Sequence, residues 1–283
     1  NMVLPPETYM KIKEGIVKNA RKHSIARQII GVRPLNAGVG LQQWTYDTLT
    51  EVSDAQITYA FTETGEDVAD FGRSHVPIPV IHKEFRIGYR DIVAAQRGGY
   101  PLQAATADSA AYKVMLQENA MLLNGYSADG STYDINGLYQ GAGNTESTAK
   151  DFGTAGNAMA KVQLAITELI ADDIYGPYNL VLNPTQFMEL AVSVLGSGAG
   201  DREINMVREL LEGGQIYSTP FQTVGTGMLL AQPGSGFFEA VMPVDMTVRT
   251  ETLQKSRDEW GQVYECIVPV IYNADAICKL TAI

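Results

Sequence analysis

Two short segments, residues 174–183 and 211–220, constrain the fold of this chain more than any other feature. In the first, Gly176-Pro177 leads directly into a continuous apolar stretch typical of a buried strand. In the second, a helix ends at Gly213-Gly214, and a strand of β-branched and aromatic residues follows. A helix-rich insert lies between them, so we expect strands and helices combined in an α+β arrangement.

Composition indicates an acidic globular protein. The 283 residues are 45% hydrophobic and suffice for one large domain or two ordinary ones. The net charge of −11 argues against sequence-specific nucleic-acid binding, although a container with this charge can still enclose DNA. Cys266 and Cys278 form no disulfide framework, which favours two buried thiols in a reducing compartment, with a disulfide between them as the alternative. Neither a membrane span nor a signal peptide is visible.

The first half of the chain contains a helix and an arm. Residues 6–30 have the periodicity of an amphipathic helix, which is either packed on its own domain or a docking element for a partner. Residues 42–87 read as a long β-hairpin, since the two prolines of Val76–Ile81 exclude a helix and favour an extended edge or arm. Such an arm cannot bury a core alone, so we expect it to lie on a neighbouring subunit.

The second half is dominated by helices followed by strands. A long helix is predicted over 104–124, with Glu118 as a buried carboxylate paired with an arginine such as Arg86 or Arg90. The other expected elements are helices at 155–171, 185–194 and 202–212, a flexible loop at 195–201, and strands from 216 to 280.

No pattern of chemically active residues emerges. The histidines, His23, His75 and His82, have no second His or Cys at metal-site spacing. The glycine-rich stretches are not nucleotide-binding motifs, and no GxSxG elbow is present. We therefore predict no catalytic, cofactor or metal site, and an enzyme with an unrecognised site is kept as an alternative.

The order of elements resembles the encapsulin nanocompartment shell proteins, which have the HK97-type phage-capsid fold. The residues that carry this resemblance are Ala26–Gly31, Pro77–Arg86 leading into Tyr89–Ile92, Ala110-Ala111 with Glu118, Gly176–Leu182, Gly213–Pro220, and Tyr264–Ile277. The resemblance implies an α+β subunit with a P-domain, an A-domain and an extended E-loop hairpin. The implied divisions are an N-terminal helix and linker at 1–41, the E-loop at 42–87, the P-domain with its spine helix at 88–154, the A-domain at 155–262 and closing strands at 263–283.

The function that this resemblance implies is structural. Copies of the chain would self-assemble in the cytoplasm into a closed icosahedral compartment around a cargo enzyme, which is held through a short terminal peptide. The cargo would dock on Tyr9, Ile12 and Ile16. A five-fold pore would be lined by Leu195, Gly196, Ser197, Gly198, Ala199, Gly200 and Asp201. The arm would contact neighbouring subunits through Thr62, Glu63, Glu66, Asp67, Phe71 and Arg73.

Two departures from related proteins narrow these expectations. Residues 52–82 contain no lysine, which argues against the covalent crosslinking of some phage capsids. Arg90 stands where some encapsulins carry a flavin-binding tryptophan, so no cofactor is expected. A viral capsid protein enclosing double-stranded DNA, located in the virion, is the alternative function, because both kinds of shell share one fold. The N-terminal helix favours the encapsulin.

Overall fold

The computed structural model describes residues 24–49, 57, 59, 71–98, 102–130, 134–195, 202–254 and 257–283. The helices in these ranges are α1 (Ala26–Ile30), α2 (Tyr89–Gly98), α3 (Leu102–Asn124), α4 (Asn157–Ala171), α5 (Pro184–Val192) and α6 (Glu203–Leu210). The strands are β1 (Val32–Pro34), β2 (Gln43–Leu49), β3 (Phe71–Pro77), β4 (Val80–Ile87), β5 (Asn144–Glu146), β6 (Tyr178–Leu182), β7 (Ile216–Ser218), β8 (Thr226–Ala231), β9 (Phe238–Thr252), β10 (Glu259–Ile271) and β11 (Ile277–Thr281). Of these helices, none is long and apolar enough to cross a membrane.

A four-stranded sheet with the order β1-β9-β10-β4 supports the long helix α3. Ala107, Ala110 and Ala111 of α3 are buried. Because their side chains are small, the helix can approach the sheet closely. The strand β4 pairs antiparallel with β10 along its whole length. It lies in the range expected to form the arm, yet it belongs to this sheet, because Ile81 and Ile87 bury their side chains in the core.

A five-stranded sheet with the order β5-β11-β8-β6-β7 forms the second layer, against which α4 packs. All residues of β6 are buried, as the continuous apolar run predicts. The insert between β6 and β7 contains α5 and α6, which confirms the predicted helix-rich segment.

The glycine pair that follows α6 has a steric cause. A Cβ atom on Gly214 would lie 1.6 Å from the carbonyl oxygen of Tyr178. The chain can therefore enter β7 beside β6 only if this residue lacks a side chain. Gly213 has a φ of 93°, in the left-handed region that favours glycine.

The close contact between Gly214 and Tyr178 predicts that a single methyl group added at residue 214 lowers the stability of the fold. Gly214→Ala is expected to lower the free energy of unfolding by about 1–3 kcal/mol, because the backbone of β6 must shift to admit it. Thermal unfolding of the purified protein measures the change. Gly40→Ala is the matched control, since a Cβ atom there meets nothing within 4 Å. Equal melting temperatures for the two variants would contradict the steric explanation.

The root of the arm has the structure that the sequence predicts. Strands β2 and β3 form an antiparallel ladder from Gln43 and Pro77 to Leu49 and Phe71, which confirms the root of the predicted hairpin.

Cys266 and Cys278 are both free and buried, as the prediction of two buried thiols states. Burial raises the pKa of the Cys278 thiol to about 11, so the thiol stays protonated at neutral pH.

Candidate functional site

A buried ion cluster fastens α1 to the body of the protein. The guanidinium of Arg27 contacts both carboxylate oxygens of Glu118 on α3, at 2.5 and 3.1 Å, and Glu265 on β10 at 2.8 Å. Both glutamates are completely buried, and Asp245 on β9 lies 3.4 Å from the same guanidinium. Burial opposes the charge of Arg27, but the hydrogen bond and charge of Glu118 outweigh it and raise the pKa of Arg27.

The predicted burial of Glu118 is confirmed, but its predicted partner is wrong. Arg86 is exposed and pairs with Asp258, whose Oδ2 lies 2.9 Å from the Arg86 Nε. Arg90 is exposed in the first turn of α2. Because Arg86 is exposed on β4 and Arg90 is exposed on α2, neither arginine pairs with the buried Glu118.

The arm root is held by a cluster of aromatic and charged side chains. The Tyr46 ring packs edge-on against Tyr272, with centroids 5.0 Å apart, and the Arg33 guanidinium lies 5.5 Å from the centroid of the Trp44 ring. Glu239 accepts hydrogen bonds from Tyr272 at 2.6 Å and Arg33 at 3.1 Å. Burial and the bond to Glu239 raise the pKa of Tyr272 to about 12. These contacts tie β1, β2 and β9 together where the arm leaves the body.

The predicted contact residues of the arm are only partly described. Arg73 lies on β3 and donates to Asp47 of β2 at 2.8 Å, with both side chains exposed. Phe71 forms the last pair of the ladder with Leu49. The remaining predicted contact residues, Thr62, Glu63, Glu66 and Asp67, lie outside the described residues.

The predicted cargo-docking residues, Tyr9, Ile12 and Ile16, also lie outside the described residues. The description starts at Ser24, which is buried. The backbone N–H of Ala26 donates to the Asn119 side chain at 2.9 Å. The first described residues therefore lie against the C-terminal third of α3, next to the Arg27 cluster.

The predicted pore loop joins α5 to α6. Leu195 is half-buried, and Gly196, Ser197, Gly198, Ala199, Gly200 and Asp201 lie outside the described residues. Val194 and Arg202 form an antiparallel bridge, and the N–H of Glu203 donates to the carbonyl of Ser193 at 3.0 Å. The two ends of the loop therefore meet at a narrow neck.

A shallow apolar depression lies beside this neck. Met188 and Val192 are one turn apart on the exposed face of α5, and their side chains are 60% and 72% accessible. The complete lining is Gly153, Ala155, Met188, Glu189, Val192, Ser193 and Val194.

Sequence reasoning missed one buried cation. Lys161 on α4 is completely buried, and its ammonium donates to the carbonyls of Glu146, Thr148 and Thr281 at 2.9, 2.6 and 2.9 Å. Burial lowers its pKa. A signal was present, because Lys161 lies on the same helical face as the buried Ala158 and Ala165.

Among the described residues we looked for histidines and for clusters of metal-binding side chains. His75 and His82 are exposed, and His23 lies outside the description. No group of three or more His, Cys, Asp or Glu side chains within the described ranges could hold a metal ion.

Comparisons with known proteins agree on the class of this chain. A family model described as Linocin_M18, encapsulating protein for peroxidase, matches residues 3–258. The type 1 encapsulin shell protein EncA of Myxococcus xanthus is 26% identical, over 98% of this chain and 93% of that protein. The diheme-cytochrome-encapsulin shell fusion protein of Kuenenia stuttgartiensis is 29% identical, over 79% of this chain and 61% of the fusion protein.

Solved structures agree on the fold. The virus-like particle from Pyrococcus furiosus has a TM-score of 0.69 and 19% identity, covering 97% of this chain and 99% of that one. The capsid of the Myoviridae phage XM1 has a TM-score of 0.74 and 14% identity, covering 92% of both chains. The α+β capsid fold of HK97 type predicted from the element order is confirmed.

Proposed function

Since this chain belongs to the Linocin_M18 family of encapsulating proteins, we propose that its function lies in the surfaces through which copies bind one another and a cargo. It is a shell protein of the encapsulin type that self-assembles into a closed compartment. The family match over residues 3–258 carries this conclusion. Its family consists of structural proteins, and the cargo is an enzyme held inside the shell through a short terminal peptide.

The two layers suggest how the subunit divides. The four-stranded sheet with α3 forms the P-domain, and the five-stranded sheet with α4, α5 and α6 forms the A-domain. The E-loop is the arm that starts with β2 and ends with β3. This division differs from the one expected at 42–87 and 155–262, because β4 and β9 pair with β10 in the first sheet.

The functional surfaces follow from this division. Cargo docks on the segment before α1 through Tyr9, Ile12 and Ile16. The loop at 195–201 lines a pore at the five-fold axis of an icosahedral particle. The compartment is cytoplasmic.

The arm is the principal contact between subunits. A two-stranded ribbon is marginal in water, so its stability comes from the surface on which it lies. Closed symmetry then repeats each such contact over the whole shell.

Deletion of residues 62–70 tests this role. The expected result is a folded subunit with unchanged circular dichroism that forms no particles, because both sheets and the Arg27 cluster remain intact. Negative-stain microscopy and size-exclusion chromatography measure assembly. A Gly/Ser replacement of the same length separates lost contacts from a shortened chain. Intact shells from the deletion would contradict an essential arm.

The contents of native particles test the compartment itself. Particles purified from the native source are viewed by negative-stain microscopy, and their contents are identified by mass spectrometry and nucleic-acid staining. We expect closed shells that hold an enzyme and no DNA. Double-stranded DNA would instead indicate a viral capsid, and the cargo-docking proposal would fail.

A further inference from the structure

The described part of the arm meets the body through two aromatic side chains on one face of β2. Trp44 and Tyr46 are two positions apart on this strand, so their side chains lie on the same side of it. The Arg33 guanidinium lies 5.5 Å from the centroid of the Trp44 ring. The Tyr46 ring packs edge-on against Tyr272, and its hydroxyl donates to the carbonyl of Ile271 at 3.3 Å. The arm therefore rests on two side chains of the body, Arg33 and Tyr272.

A single carboxylate oxygen holds both of these supporting side chains. The Oε1 atom of Glu239 accepts a hydrogen bond from the Tyr272 hydroxyl at 2.6 Å and another from the Arg33 guanidinium at 3.1 Å. Hydrogen bonds to an ionised group are stronger than those between neutral groups, and this side chain is only 25% accessible. Glu239 lies on β9, Arg33 on β1, and Tyr272 just after β10. The common acceptor therefore fixes three separate parts of the chain relative to one another.

The opposite face of the same ribbon is exposed. Thr45 of β2 and His75 of β3 are direct partners in the ladder, and both side chains are exposed. Asp47 and Arg73 are the next pair on this face, 2.8 Å apart and also exposed. The contacts that Glu239 supports thus lie on the Trp44 face, and the opposite face offers positions for control variants.

Small rotations at the root are enlarged along the ribbon. The ladder runs through seven residue pairs, from Gln43 and Pro77 to Leu49 and Phe71. Its two ends are about 20 Å apart, so a rotation of about 5° at the root moves the far pair by about 2 Å. In a closed assembly every copy must present the same contact at the same angle. The direction of the ribbon therefore has to be fixed where it leaves the body.

We propose that Glu239 is the positioning residue of the arm. By holding Arg33 and Tyr272, it sets the direction in which β2 and β3 leave the body, and with it the number of copies that close one shell. This inference rests on the proposed function, in which the arm is the principal contact between subunits. A repeated contact closes only at certain angles and otherwise gives open assemblies. A loosened root should therefore give particles of more than one size.

The first readout is hydrogen exchange of the β2 amides in the purified full-length protein, followed by mass spectrometry. We expect exchange to be at least about fivefold faster in Glu239→Ala, because both supporting side chains lose their acceptor. Glu239→Gln should fall between, since an amide oxygen still accepts from Tyr272 but lacks the charge that attracts Arg33. His75→Gln, on the exposed face of the ribbon, is the matched control and should exchange like the parent protein.

The second readout is the size distribution of the particles, measured by negative-stain microscopy and mass photometry. We expect one size for the parent protein and for His75→Gln, and at least two sizes or open assemblies for Glu239→Ala. Glu239→Gln should recover part of the single-size population. If Glu239→Ala does not fold, Tyr272→Phe replaces it in both readouts, because it removes one of the two donors and keeps the ring that packs against Tyr46.

The two readouts separate this inference from the proposed function. Faster exchange together with mixed sizes would support it. Parent-like exchange in Glu239→Ala would overturn the positioning role of Glu239. Faster exchange with a single, parent-like size would show that the direction of the arm does not set the size of the shell. If the parent protein itself forms no closed particles, the proposed function fails, and hydrogen exchange alone still decides whether Glu239 holds the arm.

Discussion

Replacing Arg27 with methionine is expected to lower the free energy of unfolding by about 3–5 kcal/mol, the range measured when one partner of a buried ion pair is removed. Methionine fills much of the volume of the arginine stem but leaves Glu118 and Glu265 without the guanidinium between them. Both carboxylates are completely buried, so each must take up a proton or admit water. The denaturant midpoint of purified particles measures the loss.

Two further variants separate the buried cluster from simple loss of charge. Arg249→Met removes an exposed arginine, which is 66% accessible and 3.8 Å from Glu251, and should change stability by less than about 1 kcal/mol. Adding Glu118→Gln and Glu265→Gln to Arg27→Met should recover part of the loss, because the uncompensated charges are then gone. If the buried cluster contributes nothing to stability, Arg27→Met will have the same denaturant midpoint as Arg249→Met.

Lys161→Met is expected to cost a similar amount, about 3–5 kcal/mol, and to lower the melting temperature of the particles by roughly 10 °C. The ammonium is the common donor to three carbonyls, one on β5, one just after it and one on β11. Glu146 also lies near it, with its Oε1 at 3.6 Å. Methionine preserves the shape of the stem, so the loss reports the polar contacts and not a cavity.

The matched control is Lys113→Met, because Lys113 is exposed on α3. Its melting temperature should remain within about 2 °C of the parent protein, as expected for a surface residue without a special contact. Hydrogen exchange locates the effect: protection should fall first in β5 and β11. Uniform loss of protection across both sheets would show that Lys161 does not act as a local clamp.

The elements predicted best from sequence are those whose evidence is local. The continuous apolar run of β6 between Gly176 and Asn183 is recognisable from the sequence as a buried strand. The small residues of α3 recur at helical spacing over most of that helix, which predicts it. The two prolines of Val76–Ile81 predict extended backbone, and the segment is extended, with β3 ending at Pro77 and β4 starting at Val80. Each of these signals depends on residues within one element, where periodicity and steric rules act directly.

The polar contacts could not be predicted in the same way. Glu118 was visible as a buried acid, but Arg27 lies 91 positions away and only the folded sheet brings it near. Glu203 looks like an ordinary acid in the first turn of a helix, and its real partners belong to two other helices. Lys161 alone carried a local sign, as a cation on an apolar helical face.

The order of strands in the two sheets also has a consequence for synthesis on the ribosome. β10 lies between β9 and β4, and β11 lies between β5 and β8, although both follow every other described strand in the chain. These pairings have a high contact order, so neither sheet can close until the last strands have emerged. Nascent chains therefore lack both finished sheets until β10 and β11 have left the ribosome.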